Sequence, residues 1–347
     1  NVVLIIDVDD IPKILLLIHR LASKSMRQHL GKLVVLIVIT FNSLIPLNKS
    51  VALSEPTLVI IDTGIDSSLQ IFQSTLIQEV CVLDFSMCPN GMNYQEGLGA
   101  ATIRGNFANL NGFDHGTQMA SIAVNSYPNL KFIFMRVIAN NAYGNRLPVS
   151  NGNVVRALTW VQTNREKYNI KAIAMSQGNH QLTAGIKYCP SFPEVTRVIT
   201  QLKRDGVASF FPTGNAGDKR RIDWPACIPD SIAVGSINEK DEIPNYSNMD
   251  FLYTDMYALG ASQAIVPGGK FTTATGTSVS TQIAAVQWMQ FATKYPEATY
   301  AQIYQSFRRS GKIVFDANFK FGVKMDLTAA LLRYENQVKE GSTVSGA

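Results

Sequence analysis

The chain has 347 residues, 46% of them hydrophobic and 16% charged, with a formal net charge of +5. That balance argues against general disorder and is enough for one large α/β domain or two ordinary ones. Residues 1–52 hold six Lys or Arg against three Asp, so the rest carries only +2 and shows no basic stripe with interleaved aromatics. Nucleic acid is therefore not expected as a partner.

In chain order, the first pattern opens at Met26. Arg27, His29 and Lys32 precede the apolar run Leu33–Phe41, and polar residues lead to small residues ending at Ala52. A positive flank, a short apolar core and a small-residue end describe an export signal cut after Ala52, so residues 1–52 are read as a leader and the mature chain as secreted or periplasmic. The run is too short for a stable membrane span, which needs about 20 apolar residues. Residues 1–25 fit no pattern and lie ahead of the start that this signal implies.

From residue 58 onward, short apolar runs alternate with stretches of helical period. Leu58–Asp62, Lys131–Ile138, Ile170–Met175, Val207–Phe211 and Ser231–Gly235 read as buried strands. Asn153–Tyr168 carries Val154, Val155, Leu158 and Val161 on one helix face, and Pro193–Arg204 is a second helix stopped near Gly206. The alternation predicts a three-layer α/β fold with a mostly parallel twisted sheet and helices on both faces, in one domain over residues 53–340. The tail 341–347, Gly-Ser-Thr-Val-Ser-Gly-Ala, reads as flexible. Chemistry in such sheets gathers in the loops beyond the carboxyl ends of the strands.

Four residues stand at such places. Asp62 ends an apolar strand, where a carboxylate must find donors or cap a turn. His115 is one of two histidines after residue 52 and is followed by small residues; it is a general base or a hydrogen-bonded structural histidine. Asn215, between glycines in Phe211–Gly217, can donate to an oxyanion or simply tolerate a turn. Ser278 leads an apolar helix pattern, where unpaired N–H groups favour a developing negative charge, although serine there is also a common cap. Cys81, Cys88, Cys189 and Cys227 all follow Ala52. They are two disulfides in one of three pairings, with Cys81–Cys88 and Cys189–Cys227 favoured because the first closes a short loop, or four buried thiols. No cysteine has a partner at metal-ligand spacing, so no metal ligands are assigned.

Taken together, "VIIDTGID", "DHGTQMA", "FPTGNAG" and "TGTSVSTQIAA" occur in the order Asp, His, Asn, Ser, with successive members separated by 53, 100 and 63 positions. The chain resembles the subtilisin-like serine proteases over roughly residues 56–335, and the Asp-His-Ser order itself separates that family from other triad enzymes. "AIAMSQGN", "WPACIPDSIAVGSIN" and "YALGAS" resemble the family's connecting segments. The resemblance implies a serine endopeptidase acting on peptides or proteins, monomeric and needing no cofactor for catalysis, with structural calcium possible but no ligands assignable. Ser278 would attack the carbonyl, His115 would carry the proton and Asp62 would hold the imidazole, while Asn215 would bind the oxyanion. Ser176, Gln177, Gly178, Thr213 and Gly214 would line the pocket for the side chain before the cut. Asp223 aligns with that pocket's base and would favour Lys or Arg; otherwise it is a solvated acid beside Arg220 or Arg221.

Three positions depart from the family pattern: Gln118 replaces a second histidine, Asp114 a glycine and Gln282 a proline. None of these performs the proton transfer. The competing function is an inactive relative that binds peptides through the same cleft. A nucleotide-binding α/β domain would want a glycine-rich loop after the first strand, which "DTGID" lacks.

Overall fold

Leu58, Val59, Ile60 and Ile61 are all fully buried, and their alternation divides the molecule into layers. Leu58 and Ile60 point into one apolar cluster with Phe132, Phe134, Ala174 and Phe210. Val59 and Ile61 point into the other with Ile133, Met135, Ile173 and Phe211. A strand buried on both faces is a continuous apolar run, as the sequence shows. Each such side chain contributes about 1.5–3 kcal/mol on burial. The computed structural model describes residues 55–85, 87–102, 112–141, 145–183, 189, 192–318 and 320–344. The export signal read into residues 26–52 lies outside them.

The strands are β1 (Thr57–Asp62), β2 (Leu76–Val82), β3 (Tyr94–Glu96), β4 (Lys131–Arg136), β5 (Ile170–Met175), β6 (Asn179–Thr183) and β7 (Ala208–Pro212). They continue with β8 (Ile222–Trp224), β9 (Ile232–Ile237), β10 (Met256–Leu259), β11 (Ala261–Ile265), β12 (Phe271–Thr275), β13 (Lys312–Phe315) and β14 (Phe321–Lys324). Ten form one sheet in the order β13-β14-β10-β9-β7-β5-β1-β4-β2-β3. The pairs from β2 through β14 are parallel, and only the flanking pairs β2/β3 and β13/β14 are antiparallel. The expected mostly parallel α/β sheet is what forms. Two small antiparallel pairs, β6/β8 and β11/β12, lie outside it.

Helices α1 (His115–Ser126), α4 (Thr277–Lys294), α5 (Tyr300–Ser310) and α6 (Leu327–Val344) contribute to the first cluster, while α2 (Asn151–Asn164) and α3 (Pro193–Arg204) contribute to the second. Helix α2 ends at Asn164, short of the expected Tyr168. Asn169 takes φ +47°, a turn conformation that asparagine tolerates, and swings the chain into β5. Helix α6 runs to Val344, past Gly341. One glycine near a helix end costs only about 1 kcal/mol, too little to stop the run. Among the described residues no helix is long and apolar enough to cross a membrane. Disulfides join Cys81 to Cys88 (S–S 2.04 Å) and Cys189 to Cys227 (1.99 Å).

Candidate active site

Strands β1, β5 and β7 are neighbours, so their carboxyl ends deliver Asp62, the segment Ser176–Gly178 and the segment from Pro212 to Asn215 to one edge of the sheet. Two helix starts, α1 and α4, add His115 and Ser278. His115, Arg146, Ser176, Gln177, Gly178 and Ser278, with Pro212, Gly214, Asn215, Asp223 and Thr277, line a single cavity of about 160 Å³. That is smaller than a usual ligand pocket and suits one side chain. A larger cavity of about 410 Å³, lined by Lys203, Trp288 and Tyr300 among others, contains none of the candidate residues.

Asp62 is completely buried. Its Oδ1 accepts from Thr63 N at 2.7 Å, from His115 Nδ1 at 2.8 Å and from Gln177 Nε2 at 2.7 Å. Its Oδ2 has no partner among the described residues. Burial pushes its carboxyl up, but His115, the Thr63 N–H and the charge of Arg146 pull harder, leaving it below the usual carboxylate range. An ionised carboxylate on Nδ1 fixes the ring's tautomer and leaves Nε2 to carry a proton.

The small residues after His115 now have a reason. A Cβ on Gly116 would lie 2.3 Å from Gly64 O and 2.7 Å from the Phe134 ring, so only glycine lets α1 start against the end of β1. Thr63 Oγ1 fastens that contact by accepting from Gly116 N at 3.0 Å and donating to Phe113 O at 3.1 Å. Two of the departures from the family pattern offset each other. Gln118 Nε2 donates to Asp114 Oδ2 at 2.7 Å, an i,i+4 bond across the first turn of α1.

Ser278 is the second residue of α4, whose entry is turned by Gly276 at φ +138°. The Asn215 Oδ1 accepts from Thr277 N at 2.9 Å and from Thr277 Oγ1 at 3.0 Å. A backbone N–H can only donate, so the amide oxygen faces Thr277, which leaves Nδ2 as the donor end of a residue that lines the same cavity as Ser278. Among the described residues no hydrogen bond joins Ser278 to His115. In this rotamer Ser278 Oγ donates to Ser176 O at a long 3.4 Å. Catalytic hydrogen bonds often tighten only around substrate. Gln282, in the family's proline position, is fully buried and donates through Nε2 to Ser176 Oγ at 2.9 Å, and Ser176 Oγ in turn donates to Ser278 O at 3.1 Å. That substitution ties the first turn of α4 to the cleft wall.

The expected pocket residues separate into two groups. Gly178 and Gly214 face the β8 segment so closely that a Cβ would sit 2.5 Å from Trp224 O and 2.3 Å from Asp223 Oδ2 respectively. Asp223 is 5% exposed, accepts from Asn248 Nδ2 at 3.3 Å and lines the cavity. Thr213 does not line it; its hydroxyl donates to Asn248 O at 2.8 Å and Pro212 takes its place on the wall. Gln177 is 2% exposed and spends its amide on Asp62 and Arg146. Arg146 was missed by sequence reasoning, because a lone arginine between helix and strand patterns carries no positional signal. Among the described residues no group of three or more His, Cys, Asp or Glu converges on a metal-sized site, so calcium ligands stay unassigned.

Residues 54–323 match the family model of the Subtilase family. The chain belongs to that family. Subtilisin amylosacchariticus of Bacillus subtilis subsp. amylosacchariticus is 26% identical over 259 residues, covering 72% of this chain and 58% of the relative. The subtilisin of Bacillus pumilus is also 26% identical over 259 residues, covering 72% of this chain and 81% of its own. The chain thus spans less than two thirds of the length of several curated relatives it matches. A cold adapted subtilisin-like serine proteinase superposes with a TM-score of 0.59 at 19% identity, over 78% of this chain and 88% of its own. The self-cleaved protease domain of PatA gives 0.60 at 16%, over 82% and 98%. At these identities the superpositions speak to the subtilase fold, and that fold is shared.

Proposed function

We propose that this subtilase is a serine endopeptidase. One observation carries the reading: His115, whose Nδ1 donates to the carboxylate of the buried Asp62 behind it, borders one cavity together with Ser278 at a helix start and the amide of Asn215. Ser278 Oγ attacks the peptide carbonyl as its proton passes to His115 Nε2. The carbonyl oxygen becomes an oxyanion bound by Asn215 Nδ2 and the Ser278 backbone N–H at the positive end of α4. The collapsing intermediate releases the amine, which takes the proton back from His115, and water repeats the sequence on the acyl-enzyme. Asp62 stays ionised throughout and stabilises the imidazolium.

Asp223, packed against Gly214, supplies a carboxylate to the wall of the cavity that would receive the side chain before the cut, which favours Lys or Arg there. Cleavage of matched Arg and Phe peptides tests this, and a preference for Phe ends the idea. The two disulfides support a mature chain that works outside the reducing cytosol. A fluorophosphonate probe tests the whole reading: it labels the wild type at neutral pH and leaves Ser278→Ala unlabelled. An unlabelled, folded wild type favours a peptide-binding relative without activity.

A further inference from the structure

We propose that Gln177 and Arg146 form a strap that positions the catalytic carboxylate, coupling a cation in the cleft to Asp62; this rests on the triad reading above. Gln177 is buried, and its amide has two ends with different tasks. Nε2 donates to Asp62 Oδ1 at 2.7 Å and lies 3.1 Å from His115 Nδ1, while Oε1 accepts from the Arg146 guanidinium. Arg146 itself is exposed and borders the cavity.

A buried carboxylate with one oxygen unpartnered among the described residues depends on the donors to the other. Two of those donors are fixed by the backbone or by the triad itself, namely Thr63 N and His115. The third is a side chain with rotatable bonds, and only its own oxygen can pin it. Arg146 supplies that pin. Because an amide has one oxygen and one nitrogen end, the guanidinium on Oε1 obliges Nε2 to face Asp62. The strap therefore sets the carboxylate's direction and holds a positive charge near the carboxylate–imidazole pair. Among the described residues, the other charged groups placed around the pair are Asp114 next to His115 in the chain, Arg136 opposite Asp62 on β4 and Asp223 on the cavity wall. Asp114 instead accepts from Gln118 and Arg136 donates to Ile138 O.

Neither residue contacts the reacting atoms, so the signature is a fall in kcat at nearly constant KM. In Gln177→Met, kcat falls about tenfold or more, as for loss of a hydrogen bond to a charged group. In Arg146→Met the fall is smaller, and Arg146→Lys recovers part of it by restoring charge. The acidic limb of kcat/KM against pH moves to higher pH in both Met variants, since the imidazolium that disables the general base is less opposed. In the double variant the loss is no greater than in Gln177→Met alone, because two members of one strap cannot be removed twice. Effects that multiply, or a folded Gln177→Met with kcat within twofold of wild type, overturn the strap. If Gln177→Met does not fold, the exposed Arg146→Met decides alone: an unmoved acidic limb with unchanged kcat overturns it. Fluorophosphonate labelling separates the two levels, since a labelled wild type with indifferent strap variants refutes the strap while leaving the endopeptidase reading intact.

Discussion

The two halves of the candidate site are built to different tolerances. The half made by β1 and α1 is over-determined: Asp62 Oδ1 receives three donors within 2.8 Å, and Gly116 locks the helix start against Gly64. The half made by the β7 loop and α4 is looser at its reactive atom. Thr277 fixes Asn215, and Gln282 with Ser176 fixes the first turn of α4, but among the described residues the Ser278 hydroxyl has one bond, at a long 3.4 Å. The difference has a physical cause. A buried charge must be solvated by fixed dipoles in every state of the site, whereas a neutral hydroxyl can remain mobile until substrate arrives. Rigidity is concentrated where charge is buried.

Five measurements break or sharpen that contrast. Ser278→Ala removes the proposed nucleophile without disturbing the rigid half, and kcat falls by at least about 10⁴-fold with thermal stability unchanged. A large loss of stability would mean that the hydroxyl is structural. Asp62→Asn strikes the rigid half and lowers kcat about 10⁴-fold by allowing the wrong tautomer. It also changes the response to acid. The folded-state carboxyl lies below its ordinary 3.8, so its stabilising effect is complete above that value and is lost as pH falls through the lowered one. Urea midpoints between pH 5 and 2 therefore slope less in Asp62→Asn than in wild type. An identical slope would remove Asp62 as a source of acid sensitivity.

Asn215→Ala keeps the Gln282–Ser176 anchor of α4 but gives up the Thr277 bonds along with the amide donor, and costs about 10²–10³ in kcat at similar KM. A loss confined to KM would make Asn215 a binding residue. Asp223→Asn lowers the ratio of Arg to Phe cleavage by about 30-fold or more, with Ser278 labelled as fast as before. The smallest effects are on stability. Opening Cys189–Cys227, whose ends are 38 positions apart, costs about 4 kcal/mol, and opening Cys81–Cys88, seven positions apart, costs about 2 kcal/mol. Equal midpoint shifts in denaturant would show that loop length does not govern them.

Much of this was legible in the chain. Apolar runs such as Leu58–Ile61 have no other stable destination than a strand covered on both faces, so the parallel α/β class follows from hydrophobic pattern alone. The glycines and hydroxyl residues around His115, Asn215 and Ser278 mark backbone approaches that larger side chains forbid. What one dimension cannot carry is pairing at a distance between ordinary residues. Thr213 sits in the same motif as Asn215, yet it turns inward to Asn248, 35 positions away. Gln177 reads as pocket lining until Arg146 and Asp62 are seen at its two ends. Sequence by itself determined which elements form and where reactive groups could stand, because local sterics and burial act along the chain. Only the tertiary structure decided which way the amides and carboxylates face, because a hydrogen bond's direction is set by the partner that folding brings to it.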